Sequence, residues 1–247
     1  MIELSKRLLR TVGRTNARFG LLGAGDRVLL GLSTGKDSLV LAHILKHFST
    51  VTPEQFTFRA VTIGYGMNED FAYLAEHCRE HGIEHEIIDT CIFELGREKM
   101  RKDTAFCSFC SRMRRGSLYS YALSHGFNKI ALAHHLDDAA QSFFMNLTYN
   151  GALRTLPPKY TAANGLIVIR PLILVRERQI IDAAAKNALP ILKEDDSCPA
   201  KRAGFKLPRA REEAKALLER LEKENPKLFV SLEAAFGNIH KDSFFQI

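Results

Sequence analysis

Apolar positions near the start of the chain recur at helical spacing. Leu4, Leu8 and Val12 fall on one face of a helix over residues 3 to 19, and Lys6, Arg10, Arg14 and Arg18 fall on another. From Arg27 the pattern changes to short β-rich runs alternating with helical periods. The runs predict strand Val28–Leu32, helix 37–48, strand Phe56–Ile63, helix 69–81 and strand Glu84–Ile88. A basic loop, helix 111–125, strand Lys129–Ala133, helix 138–149, strand Leu166–Ile169 and helix 176–188 follow. Strands separated by helices of roughly ten to fifteen residues predict βαβ units, hence an α/β fold with a parallel sheet and helices on both faces. Past Pro190 the chain turns polar and basic, with helical periods at 209–224 and 227–236. The expected organisation is a basic helical segment over 1–24, an α/β domain over 25–190, and a loop with C-terminal helices over 191–247. Ligands of such sheets sit beyond the carboxyl ends of the strands.

Charge sharpens this picture through its placement. The net charge is +7, yet residues 1–20, 97–115 and 201–211 carry +4, +5 and +5, which leaves −7 on the other 197 residues. A slightly acidic body with three basic patches predicts a polyanionic partner, nucleic acid ahead of a membrane surface. Lys6, Arg10, Arg14, Arg18, Arg112, Arg114, Arg115, Lys201, Arg202 and Lys206 are the candidate phosphate contacts, with Arg209 and Arg211 beside them. The 97–115 and 201–211 patches are expected to converge on one site. No apolar stretch reaches the ~18 residues of a membrane span, and the opening segment lacks a secretory apolar core, so a cytoplasmic protein is expected. Five cysteines, an odd number in 247 residues, point to reduced thiols rather than a disulfide framework.

Two loops carry candidate phosphate and metal chemistry. Ser33-Thr34-Gly35-Lys36-Asp37-Ser38 joins the first strand to a helix, where backbone N–H groups, the helix dipole and the Lys36 charge can cradle phosphate. The spacing is neither that of a Walker A loop nor that of a dinucleotide fingerprint. Thr34 brings a Cβ that disfavours positive φ and close backbone approach. At the end of the fourth strand, His134-His135-Leu136-Asp137-Asp138 opens a helix with paired carboxylates suited to Mg²⁺. Taken alone, Asp37, Asp137 and Asp138 read equally as helix caps.

Cys107 and Cys110 form a C-x-x-C ahead of Ser111-Arg112-Met113-Arg114-Arg115-Gly116, and the arginines and helix terminus are expected to favour thiolates. The pair alone is compatible with zinc, an iron–sulfur site or a redox dithiol. Cys198 is the natural third ligand, whereas Cys78 and Cys91 read as packing.

The Ser33–Ser38 loop resembles the SGGxDS signature of the N-type ATP pyrophosphatases, the Rossmann-like PP-loop superfamily. Together with the C-x-x-C segment, HHLDD, Asn146–Gly151, Leu156–Lys159 and Val168–Leu172, the array is similar to the tRNA 2-thiocytidine synthetases of the TtcA/TtuA group. That resemblance implies ATP contacts from Ser33, Thr34, Gly35, Lys36, Asp37, Ser38, Ile63, His134 and Asp137, and Mg²⁺ held by Asp37, Asp137 and Asp138. It implies a 4Fe–4S cluster on Cys107, Cys110 and Cys198, with zinc as the alternative and Asp195 as a further possible ligand. Lys36, Asp37 and the three cysteines would be the catalytic set. The implied reaction is adenylation of the cytidine C2 oxygen at anticodon-loop position 32 of tRNA, then its replacement by sulfur; the alternatives are another PP-loop ATP pyrophosphatase, an amide- or lysidine-forming ligase, or a zinc-stabilised RNA-binding module with a relic nucleotide pocket. A cysteine desulfurase system as donor and a homodimer are implied as well. Phe106, Phe109 and Tyr160 are candidates for stacking on the base. Phe229, Leu232 and Phe236 are expected either to pack a dimer or to cap the domain.

Overall fold

A computed structural model describes residues 2–52, 55–99, 106–192, 198–205, 209–243 and 245. Asp195 and Lys206 lie outside these residues. Helix α1 (Lys6–Phe19) starts where the Ser5 hydroxyl accepts the Leu8 N–H at 3.2 Å and ends at Gly20, whose left-handed backbone (φ 57°) suits glycine. Leu8 and Val12 are buried, as the apolar stripe requires.

The sheet has six strands in the order β3-β2-β1-β4-β6-β5. β1 (Arg27–Gly31) runs parallel to β2 (Thr57–Ile63) on one side and to β4 (Lys129–Ala131) on the other. β3 (His85–Ile88) and β6 (Ile167–Ile169) extend the parallel sheet, and β5 (Lys159–Thr161) closes one edge antiparallel to β6. The expectation of an α/β fold holds, with that one antiparallel edge as the exception.

Alternation along the strands builds two cores. Val28 and Leu30 point to the face covered by α1, α2 (Lys36–Val51), α3 (Ala72–Glu80) and α7 (Glu177–Lys186). Leu29, Val61 and Ile130 point to the face covered by α4 (Ile92–Lys99) and α5 (Phe106–Ser124). The α4 segment is helical where a basic loop was expected. Helix α5 starts five residues earlier than the expected 111, because burial of Phe106 and Cys110 against the sheet outweighs the weak helix propensity of Cys-Ser-Phe-Cys.

Helices α6 (Leu136–Tyr149), α9 (Ala210–Glu224) and α10 (Leu228–Ala235) form a third cluster around Leu136, Ala140, Leu218 and Phe229. Leu232 and Phe236 pack against it, so these C-terminal residues cap the domain within the chain. A short helix α8 (Pro199–Arg202) begins at Cys198.

One buried ion pair fixes the amino-terminal edge of the sheet. Lys129 Nζ donates to Asp26 Oδ2 at 2.6 Å and to the Leu21 carbonyl at 2.8 Å, and Asp26 also accepts from Gly23 N and Asn128 Nδ2. Both side chains are about nine-tenths buried. Asp26→Ala leaves the Lys129 ammonium buried and unpaired, and urea unfolding is expected to show a loss of about 3 kcal/mol. A loss below about 1 kcal/mol contradicts this role.

Candidate active site

The Ser33–Ser38 loop is tied by its own hydroxyls. Ser38 Oγ accepts the Ser33 N–H at 2.9 Å, lies 3.1 Å from the Ser33 carbonyl and meets Ser33 Oγ at 2.9 Å. Among the described residues only Asn68 and Ala188 are non-glycine residues with positive φ, so Thr34 fits the turn without the left-handed backbone its Cβ disfavours. Its carbonyl accepts the Leu192 N–H at 3.1 Å, joining the loop to the segment that leads to Cys198.

Lys36 and Asp37 open α2. Lys36 Nζ donates to Glu177 Oε1 at 2.9 Å and stands 3.2 Å from Asp37 Oδ1. Burial works against the Glu177 charge, but the Lys36 hydrogen bond and the nearby Lys36 and Lys215 charges hold its carboxyl at about 2. Burial raises the Asp37 carboxyl above its usual range, opposed by Lys36 and His135. Asp37 Oδ1 is buried with no aligned hydrogen-bond donor. With the Lys36 ammonium 3.2 Å away and no donor aligned on it, this oxygen beside the phosphate loop can turn to Mg²⁺ or to one of its waters.

The HHLDD residues support this loop from behind. His135 Nδ1 accepts the Asp138 N–H at 3.3 Å while Asp138 Oδ2 accepts the His135 N–H at 3.1 Å, a reciprocal cap on α6. That leaves His135 Nε2 facing Asp37 Oδ1 at 3.8 Å. Asp137 accepts the Glu177 N–H at 2.7 Å and pairs with Arg176, so both its oxygens serve the start of α7. Asp138 pairs with Arg211. Of the three carboxylates expected to hold Mg²⁺, Asp137 and Asp138 are thus engaged with protein donors, while Asp37 faces Lys36 and His135. His134 Nδ1 accepts from the buried Arg170 at 3.2 Å, and burial with Arg170 brings its imidazole down to about 4.

A cleft of about 840 Å³ joins the two sequence motifs. Ser33, Thr34, Gly35 and Ile63 line it together with Cys107, Cys110 and Cys198. The cysteine pair sits one turn apart in the first turns of α5, not ahead of the helix, and Cys198 immediately precedes α8. Burial and the mutual proximity of Cys107 and Cys198 push the Cys110 thiol up to about 11, and burial with Cys198 raises Cys107. This runs against the expectation of ready thiolates: buried Cys110 and half-buried Cys107 are favoured as thiolates by a positively charged centre. Among the described residues the one His, Cys, Asp or Glu trio with all ligand atoms within 4.8 Å of one another is a histidine trio elsewhere. The three sulfurs are therefore spread more widely than the roughly 3.8 Å that tetrahedral Zn–S bonds of about 2.3 Å impose. Three cysteine sulfurs on one cleft are a donor set that iron–sulfur clusters use.

The other cleft walls escaped sequence reasoning. Tyr65, Asn68, Glu69, Phe71 and Tyr73 follow β2, and Glu69 holds their loop by accepting the Tyr65 and Met67 N–H groups at 2.9 Å each. Gly66 (φ 80°) is required there, since a Cβ would come within 2.6 Å of the Thr90 carbonyl. The Tyr73 hydroxyl is buried without a hydrogen-bond partner and is free to bond a ligand. The position of this loop beyond a central parallel strand was its only signal. Of the stacking candidates, Phe106 lines the cleft but lies against Phe205 at 4.6 Å between ring centroids, and Arg170 covers Tyr160 at 5.3 Å. Phe109 packs over Gly96.

Two of the three basic patches converge here. Arg114, Arg202 and Arg211 line the cleft, with Arg202 donating to the Met67 carbonyl at 2.9 Å. Arg112, Arg115 and Arg209 are exposed, and Lys201 is half-buried. Arg14 and Arg18 of α1 instead line a second pocket with Arg7, Arg176 and Arg178, and Lys6 and Arg10 are exposed.

A family model described as a PP-loop domain matches residues 8–203. A tRNA-cytidine(32) 2-sulfurtransferase of Geobacter sulfurreducens is 41% identical over 238 residues, covering 95% of this chain and 90% of that protein. The Geobacter metallireducens protein of the same name is 39% identical over the same shares. A solved structure, the U34-tRNA thiolase NcsA from Methanococcus maripaludis with its 4Fe–4S cluster, matches with a TM-score of 0.75 at 26% identity. That match covers 95% of this chain and 79% of the other.

Alkylation tests the thiol electrostatics. Because the thiolate is the nucleophile, iodoacetamide labelling of Cys110 in cluster-free protein should rise about tenfold per pH unit toward a midpoint at about 11. A midpoint at or below the ordinary thiol value of roughly 8.5 contradicts the burial argument.

Proposed function

From the premise that this chain belongs to the tRNA-cytidine(32) 2-sulfurtransferase family of PP-loop proteins, we propose that it converts cytidine 32 of tRNA to 2-thiocytidine at the expense of ATP. The observation that carries the reading is the shared cleft, in which the phosphate loop and three cysteines face one space. Ligation of an amine to a carbonyl by other PP-loop enzymes has no use for three sulfur ligands.

The C2 oxygen of cytosine is a poor leaving group, so the reaction begins by activating it. The base oxygen attacks the α-phosphate of ATP, and the bond to pyrophosphate breaks. The N–H groups at the start of α2 and the Lys36 ammonium stabilise the departing pyrophosphate. Glu177 holds Lys36 in place as an ion pair. Asp37 supplies the carboxylate for Mg²⁺, oriented by His135 and by the caps that Asp137 and Asp138 form. The Tyr73 hydroxyl offers a hydrogen bond to the bound nucleotide or base. Cys107, Cys110 and Cys198 would hold a 4Fe–4S cluster, which when bound would supply iron to carry the incoming sulfur. Sulfur at the sulfide level bonds to C2, the C2–O bond breaks, and AMP leaves with the original oxygen. A cysteine desulfurase system is the fitting class of sulfur donor.

Arg114, Arg202 and Arg211 place positive charge at the cleft mouth for tRNA phosphates, with affinity that falls as salt rises. The reading puts the protein with its tRNA in the cytoplasm. Among the described residues, no helix is long and apolar enough to cross a membrane.

Nucleoside mass spectrometry of tRNA from cells lacking the gene should show loss of 2-thiocytidine, restored by the wild-type chain. Cys107→Ala, Cys110→Ala and Cys198→Ala should each fail to restore it, and protein purified without air should lose its broad visible absorption. Unchanged 2-thiocytidine in the deletion, or full restoration by all three variants, overturns the proposal.

A further inference from the structure

Helix α2, which follows the Ser33–Gly35 wall of the cleft, and α3, whose Tyr73 lines it, are also joined by histidines that the thiolation chemistry does not use. His43 lies in α2, seven residues after Lys36, and is 3% exposed. His77 lies in α3 and His81 caps its end, four residues later, so both project from one face of that helix. One ligand nitrogen from each lies within 4.8 Å of the other two. His43 Nε2 meets His77 Nε2 at 2.8 Å, and the His77 and His81 rings stack with centroids 4.3 Å apart.

We propose that His43, His77 and His81 form a binding site for one divalent transition-metal ion, zinc by preference, separate from the cysteine cleft. Imidazole nitrogen is a ligand class that suits zinc, and three protein ligands leave a fourth position for water. The second nitrogen of His81 is already oriented for this role. Its Nδ1 lies 2.9 Å from the His77 carbonyl, which can only accept, so Nδ1 carries the proton and Nε2 presents its lone pair.

Binding needs small adjustments. The His43–His77 contact requires one Nε2–H donor, so that ring moves its proton to Nδ1 when both Nε2 atoms ligate, with no net proton release. The pair must also open from 2.8 Å to about 3.3 Å, the spacing set by Zn–N bonds of about 2.0 Å. The ion would tie the helix that opens at Lys36 to the helix that follows Phe71, and so hold the cleft walls at fixed separation.

The test uses cluster-loaded protein, in which the three thiols are occupied, titrated with Zn²⁺ alone. One further zinc per chain is expected, with an X-ray absorption first shell of nitrogen and oxygen and no sulfur. His81→Ala, at a half-buried cap, and His77→Gln should each weaken binding at least about tenfold, since even loss of an outer-shell partner commonly costs that much. The visible cluster spectrum of each variant reports that the fold survives. His240→Ala, on the exposed C-terminal segment, should bind like wild type. Zinc should raise the thermal midpoint of the wild type and of His240→Ala but not of the two site variants. No binding at about 10 μM Zn²⁺, sulfur in the first shell, or unchanged affinity in both site variants overturns the proposal.

Discussion

Parallel pairing of β1 with β2 and β4 is the constraint from which the site follows. Because the strands run in one direction and in register, their carboxyl ends lie along a single edge. The Ser33–Ser38 loop leaves β1 there, and the Tyr65–Tyr73 wall leaves β2 beside it. Helix α5 crosses the face beneath Leu29 and Val61 and delivers Cys107 and Cys110 to the same edge. The Thr34 carbonyl and the Met67 carbonyl then latch the segment bearing Leu192 and the Cys198–Arg202 helix across the opening.

Around that edge, buried charge is assigned to fixed partners except where a ligand belongs. Arg176 illustrates the first part. It pairs with Asp137, makes a double contact to Glu222 at 2.7 and 2.8 Å and lies 3.3 Å over the Phe229 ring, binding α6, α7, α9 and α10 into one support. The Asp37 oxygen, the Tyr73 hydroxyl and the three crowded thiols illustrate the second. Each is costly to leave alone and is offset by a cation, a hydrogen-bonding ligand or a cluster.

The parts of this arrangement that were legible in the sequence are those with local spacing. The βα loop, the C-x-x-C and HHLDD are short motifs, and alternation of strands and helices announces the sheet that gathers them. What was hidden depends on distant contacts. Glu177 stands 141 residues from the lysine it holds, and nothing near it signals that role. The partners that Asp137 and Asp138 find, Arg176 and Arg211, lie 39 and 73 residues away and leave no mark on the local motif. Helix α4 is eight residues long and rich in charge, so its period was too short to read, and β5 is a three-residue edge strand. The thiol reading failed for a physical reason: adjacent arginines in sequence suggested stabilised thiolates, whereas burial and the approach of Cys198 act in the opposite direction.

The central claim is that activation by ATP and replacement by sulfur occur at one carbon in one cleft. It is tested most directly by following the oxygen that leaves. Cluster-loaded protein, ATP and sulfide would be supplied with tRNA carrying ¹⁸O at C2 of cytidine 32, and the nucleotide products analysed by mass spectrometry. The account predicts one ¹⁸O in AMP for each 2-thiocytidine formed. Formation of 2-thiocytidine with unlabelled AMP would contradict it.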